Sequence, residues 1–100
     1  MKNYEELLEK AKEWREWYYD GDPGTPEVAK STEEAFDLIN ATLFGHIYQR
    51  PKLEGKIRSL CTVAALIVLD KPNQLPGHIT GALNYGWTKE EIVELITQML

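Results

Sequence analysis

The run LCTVAALIVL, residues 60–69, constrains the fold of this chain more than any other stretch, because its ten positions carry no charge. It reads as buried, and periodicity alone does not separate a buried helix from a buried strand. Length and context decide. The run continues from KIRS and closes on DKPN, which makes it longer than an ordinary strand and much shorter than the roughly 20 residues needed to cross a bilayer. The sequence therefore predicts the core helix of a soluble bundle, ended at the Asp70-Lys71-Pro72-Asn73 turn.

Amphipathic patterns surround this helix. Leu7, Leu8, Ala11, Trp14 and Tyr18 recur at three- and four-residue steps and predict a helix over about residues 4–19. Gly21 stands where a left-handed cap is expected, with Pro23 beyond it. Ser31 and Glu34 form the pattern of a capping box, after which Phe36, Ile39, Leu43, Phe44 and Ile47 mark one face of a second helix. That helix is expected to stop near Arg50, since the residue before Pro51 avoids the α region. A fourth helix is expected over about 73–85, with Pro76 tolerated in its first turn and Gly86 ending it. Thr88 and Glu91 repeat the capping-box pattern ahead of Ile92, Val93, Leu95, Ile96, Met99 and Leu100. The expectation is an all-α, compact bundle of about five helices in a single domain, residues 1–100. The apolar pattern running into ITQML without a cap predicts cover from elsewhere in the fold or from a second copy, and hence a homo-oligomer.

Composition excludes several classes of function. With 16 acidic against 11 basic residues and a net charge of −5, the chain is a poor binder of phosphate backbones, so nucleic acid is not an expected partner. Neither is a membrane. The opening MKNYEELLEKAKEW lacks the apolar stretch of a signal peptide, and the expected location is cytoplasmic. One cysteine, Cys61, leaves no intrachain disulfide and no C-x-x-C pair; inside the apolar run it is expected to be a buried small hydrophobe. Two histidines 32 positions apart and one such cysteine do not make a zinc ligand set, so no metal is expected. In WREWYYD, Trp14 and Tyr18 are read as core or subunit-interface residues, with Trp17 and Tyr19 flanking them at a protomer contact.

From Phe44 onward, an aromatic-Gly segment before RPKL, then KIRSL opening the apolar helix, then H-x-x-x-A-L-N-x-G-x-T-x-E-E-I together resemble the carboxymuconolactone decarboxylase family, related in fold to alkyl hydroperoxidase D. The resemblance covers residues 44–100. It implies an alkyl hydroperoxidase D-like all-α fold assembled as trimers, or as hexamers built from them. In the peroxidase-type branch a C-x-x-C-x-x-x-H motif supplies a redox pair, and aligning its histidine on His78 places Lys71 and Gln74 at the cysteine positions. Thiol peroxidase chemistry needs those thiols, so that activity is not expected.

The other branch removes carbon dioxide from 4-carboxymuconolactone with no metal or organic cofactor. The resemblance implies a cofactor-free decarboxylase acting on a small-molecule carboxylate, with His78 as proton donor and acceptor, since an imidazole titrates near neutrality. Arg58 or Arg50 would hold the carboxylate through a planar donor fork. His46, beside Ile47, is a further substrate-binding candidate. Each residue has a structural alternative: a backbone-capped histidine at a helix start for His78, an ion pair to Glu54 for Arg58, a helix-dipole contact for Arg50. Family members continue beyond the position of Leu100 with a Tyr-x-Gly-x-Pro segment and another helix. A non-catalytic oligomeric scaffold or small-molecule-binding protein of the same fold therefore stays open beside the enzyme.

Overall fold

The computed structural model of the chain describes residues 3–21 and 32–100. Among them are five α-helices, one 3₁₀ turn and no strand: α1 (Tyr4–Tyr18), α2 (Glu33–Leu43), the 3₁₀ turn Ile47–Gln49, α3 (Gly55–Val68), α4 (Leu75–Asn84) and α5 (Lys89–Gln98). The all-helical expectation holds. The proposed Ser31 cap and Pro23 lie outside the described residues. The chain divides into two compact units, Met1–Pro51 and Lys52–Leu100.

In the first unit, α1 begins on a cap that the sequence reading overlooked. Asn3 accepts from the Glu6 backbone N–H at 2.9 Å, and its own amide donates to the Glu6 carboxylate at 3.1 Å. Ala11, Trp14 and Tyr18 are buried as their spacing predicts. The Trp14 ring stacks on Tyr18 at 4.3 Å and on Phe44 at 5.0 Å, with Tyr48 tilted against it at 4.8 Å. Each such aromatic pair adds about 0.5–1.5 kcal/mol to the burial of its surface. Trp17 stays exposed.

Two expectations for α2 need correction. The helix ends at Leu43 rather than near Arg50, and just beyond it Gly45 comes so close to the backbone of Leu7 that a Cβ there would strike the Leu7 and Ala41 carbonyls. The chain then turns, forms the 3₁₀ turn, and leaves it at Arg50 in the extended conformation expected before Pro51. The buried face is also rotated. Asn40, Ala41 and Phe44 are buried, while Ile39 is 57% and Ile47 38% exposed. The cause is a polar anchor: Arg15, only 6% exposed, donates to Asn40 at 3.1 Å and lies over the rings of Tyr19 and Phe44.

In the second unit, α3 packs on α4 and α5 around Val63, Ala82 and Ile92, with Leu60, Ile79, Trp87 and Leu95 closing over them. The Ser59/Val63 line of α3 is buried, but the apolar run does not bury all round as expected. Val68 and Leu69 are 64% and 63% exposed, and Cys61 is exposed rather than buried. These residues face away from the single side of α3 that its neighbours cover. On α5 the predicted apolar stripe splits in the same way, Ile92 being buried and Val93 exposed.

Three helices stop by the same device. After α4, Gly86 takes φ +102°, its N–H bonds to the Leu83 carbonyl at 2.9 Å, and Trp87 N–H reaches Ala82 at 3.2 Å. After α3, Asp70 takes the left-handed position at φ +54°, with Lys71 N–H on Leu66 at 3.0 Å. After α1 that position belongs to Asp20, at φ +55°, and Gly21, where the cap was expected, follows at φ +116°. The Thr88–Glu91 capping box forms as predicted, with reciprocal bonds of 2.9 and 3.1 Å. No helix among the described residues is long and apolar enough to cross a membrane.

Candidate active site

His78 and Arg58 both belong to the second unit, on the antiparallel α3/α4 pair. Pro76 and Gly77 occupy the first turn of α4, where proline's missing N–H is not needed, and His78 follows, half-buried. Its backbone N–H bonds to Gln74 at 3.4 Å. Arg58 lies in the first turn of α3, half-buried, with Nε donating to the Leu53 carbonyl at 3.0 Å. Its own carbonyl accepts from the Thr62 hydroxyl at 3.1 Å. The guanidinium is therefore tied to the segment entering the helix.

At the end of the pair away from the 69–74 connection, side chains join the two segments. Gly55 abuts the Tyr85 ring, and Trp87 Nε1 donates to the Lys56 carbonyl at 2.8 Å.

His46 and Arg50 belong to the first unit. His46 is half-buried and precedes the 3₁₀ turn, its carbonyl accepting from Gln49 N–H at 3.0 Å. Arg50 is exposed at the end of that turn. The first unit also carries two open grooves along α2, of about 630 and 420 Å³, which share Leu38. Neither is lined by any of the four candidates. Among the described residues no three His, Cys, Asp or Glu side chains cluster as metal ligands would, and no buried side-chain nitrogen or oxygen lacks a hydrogen-bond partner.

The junction at the end of the α3/α4 pair away from the 69–74 connection escaped the sequence reading. The Lys56 ammonium sits 4.3 Å from the centre of the Trp87 ring. Glu91, at the start of α5, is held below its ordinary pKa chiefly by the Thr88 backbone N–H, which outweighs desolvation, with smaller help from the Thr88 hydroxyl and the Lys56 charge. The capping box was a visible local signal. The partnership of Lys56 with Trp87, 31 positions away, had none.

The sequence profile of the carboxymuconolactone decarboxylase family matches residues 33–100, more than half of the chain and parts of both units. The chain belongs to the carboxymuconolactone decarboxylase family. This family member is 37% identical over 80 residues to the 4-carboxymuconolactone decarboxylase of Acinetobacter baylyi (strain ATCC 33305 / BD413 / ADP1), a match covering 73% of the chain and 60% of that protein. It is 37% identical over 65 residues to nitrosuccinic acid decarboxylase npaB of Metarhizium robertsii (strain ARSEF 23 / ATCC MYA-3075), covering 65% of the chain and 46% of that enzyme. To Peroxisomal protein 2 of Schizosaccharomyces pombe (strain 972 / ATCC 24843) it is 35% identical over 74 residues, covering 69% and 35%. The carboxymuconolactone decarboxylase family member thus spans 35–60% of the length of these relatives. No solved structure matches it.

Proposed function

We propose that this chain is a cofactor-free decarboxylase of small carboxylated lactones, working as a cytoplasmic homo-oligomer of the alkyl hydroperoxidase D-like fold. Arg58 holds the substrate carboxylate. The bond from that carboxylate to the lactone breaks, its electron pair stays on the conjugated lactone, and carbon dioxide leaves. His78 delivers a proton to the lactone carbon and recovers one from water, which an imidazole does well near neutral pH. Arg50 and His46 remain candidates for substrate binding.

The observation that carries this reading is membership of a family in which two relatives are named as decarboxylases, and His78 and Arg58, half-buried on the packed helices α4 and α3, are the groups assigned to the chemistry. Val68, Leu69, Val93 and Leu38, all large, apolar and exposed in the single chain, support self-association. Carbon dioxide release from 4-carboxymuconolactone by the purified protein is the test. Turnover is expected, and His78→Ala should lower it about 10²- to 10⁴-fold with the helical content intact. A wild type that releases no carbon dioxide from carboxylated lactones overturns the assignment in favour of a non-catalytic binding or scaffold role. A monomer at high micromolar concentration overturns the assembly.

A further inference from the structure

Arg58 holds its place only as well as the first turn of α3 holds its own. Beside the Tyr85 ring that abuts Gly55, the side chain of Trp87 grips that turn from outside. The Trp87 indole N–H donates to the Lys56 carbonyl at 2.8 Å, while the face of the same ring receives the Lys56 ammonium at 4.3 Å. Trp87 is itself fixed. Its backbone N–H closes the end of α4 on the Ala82 carbonyl at 3.2 Å, and its ring packs on the core around Val63, Ala82 and Ile92. A rigid anchor at the end of the histidine's helix therefore grips the helix that carries the arginine, two residues before Arg58.

Satisfying a backbone group does not explain this bond. As the second residue of α3, Lys56 has a carbonyl that helix geometry already pairs with the amide four residues on. The indole adds a second donor to an acceptor that has one, and it sets position rather than filling a vacancy. The consequence falls on Arg58, whose Nε is bonded to Leu53 and whose backbone N–H is bonded to Glu54 at 3.0 Å, both just outside the helix. If the turn shifts, the guanidinium shifts with it, and a misplaced donor fork loses the geometric match that makes arginine a good carboxylate holder.

We infer that Trp87 is a positioning residue, acting through the Lys56 carbonyl to hold Arg58 where it meets the substrate carboxylate. The inference rests on the decarboxylase reading and adds to it a residue that touches neither substrate nor reacting atoms.

The test removes the indole N–H and keeps an aromatic ring. Trp87→Phe should raise KM for 4-carboxymuconolactone about three- to tenfold, the range that loss of one hydrogen bond gives, with kcat within about twofold of wild type. In the same variant the Arg58 Nε–H resonance, assigned by its loss in Arg58→Lys, should exchange faster with solvent, while α5 amides keep their protection. Should Trp87→Phe fail to fold, benzothienylalanine at position 87 preserves the bicyclic outline with sulfur in place of N–H and carries the same expectations. An unchanged KM, or a fall in kcat alone, overturns the positioning role. Absence of turnover in the wild type sinks the decarboxylase reading instead. Positioning is then judged on the Arg58 Nε–H alone, and unchanged exchange there overturns it.

Discussion

Arg15 donates to the Asn40 side-chain oxygen at 3.1 Å, joining α1 to α2 through two buried polar side chains. The guanidinium is only 6% exposed, so losing an acceptor is costly, even though the faces of the Tyr19 and Phe44 rings offset part of the desolvation of its charge. Asn40→Leu should destabilise the protein by about 2–4 kcal/mol in urea unfolding. The double variant Arg15→Met/Asn40→Leu should recover more than half of that loss, since neither side chain then needs a partner. A double variant as unstable as Asn40→Leu would show that packing, not the polar pair, sets the cost.

Gly45 predicts a second effect. A methyl group there meets carbonyls of Leu7 and Ala41, which are backbone atoms and cannot swing aside. Gly45→Ala should cost about 3 kcal/mol, near the upper end of ordinary overpacking, with the tryptophan fluorescence of the first unit changing at lower denaturant. A shift below about 1 kcal/mol would mean that α2 moves freely away from α1.

Asp70 offers a gain. Its φ of +54° suits glycine better than any residue with a Cβ. Asp70→Gly should raise stability by about 0.5–1 kcal/mol, and Asp70→Val should lower it by more. Identical melting temperatures for all three proteins would rule out strain at this position.

The pH dependence follows from Glu91. Its pKa is lower in the folded chain than the ordinary 4.5, through the Thr88 backbone N–H first and then the Thr88 hydroxyl and Lys56. A depressed carboxyl pKa stabilises the fold above the ordinary value, and that contribution is lost as pH falls through the folded one. Glu91→Gln should therefore melt below the wild type at pH 7, with the gap closing as the pH falls below the ordinary value of 4.5. Melting curves across that range decide the matter, and a gap that stays constant would discount the charge of Glu91.

Local chemistry made much of the fold readable in advance. The 3.6-residue spacing of Ala11, Trp14 and Tyr18, the Thr88–Glu91 box and the glycine ending α4 each lie within a few residues of what they specify. The failures share the opposite trait. The rotation of α2 depends on Asn40 meeting Arg15, 25 positions earlier, and the exposure of Cys61 depends on which side of α3 its neighbours cover. Nothing in an apolar run says which of its faces will be covered. Of the candidate site, Arg58 and His78 entered through family resemblance, and a lone histidine after Pro-Gly has no spacing that marks it as functional. The Trp87–Lys56 grip was invisible because both of its members look ordinary in sequence.

The six residues 69–74 that separate α3 from α4 bear on how the second unit reaches its native state. A connection this short requires little chain to be closed before the two helices meet, so the entropy lost in pairing them is small and is recovered early. Asp70 reverses the chain within that span, and the contact of Gly55 with Tyr85 is then the last tooth of a zipper started at the turn. Pairing of this local kind belongs to the fast, microsecond-to-millisecond end of folding rates. The helices that carry Arg58 and His78 are accordingly brought together by a search along one hairpin, without waiting for distant segments of the chain to find each other.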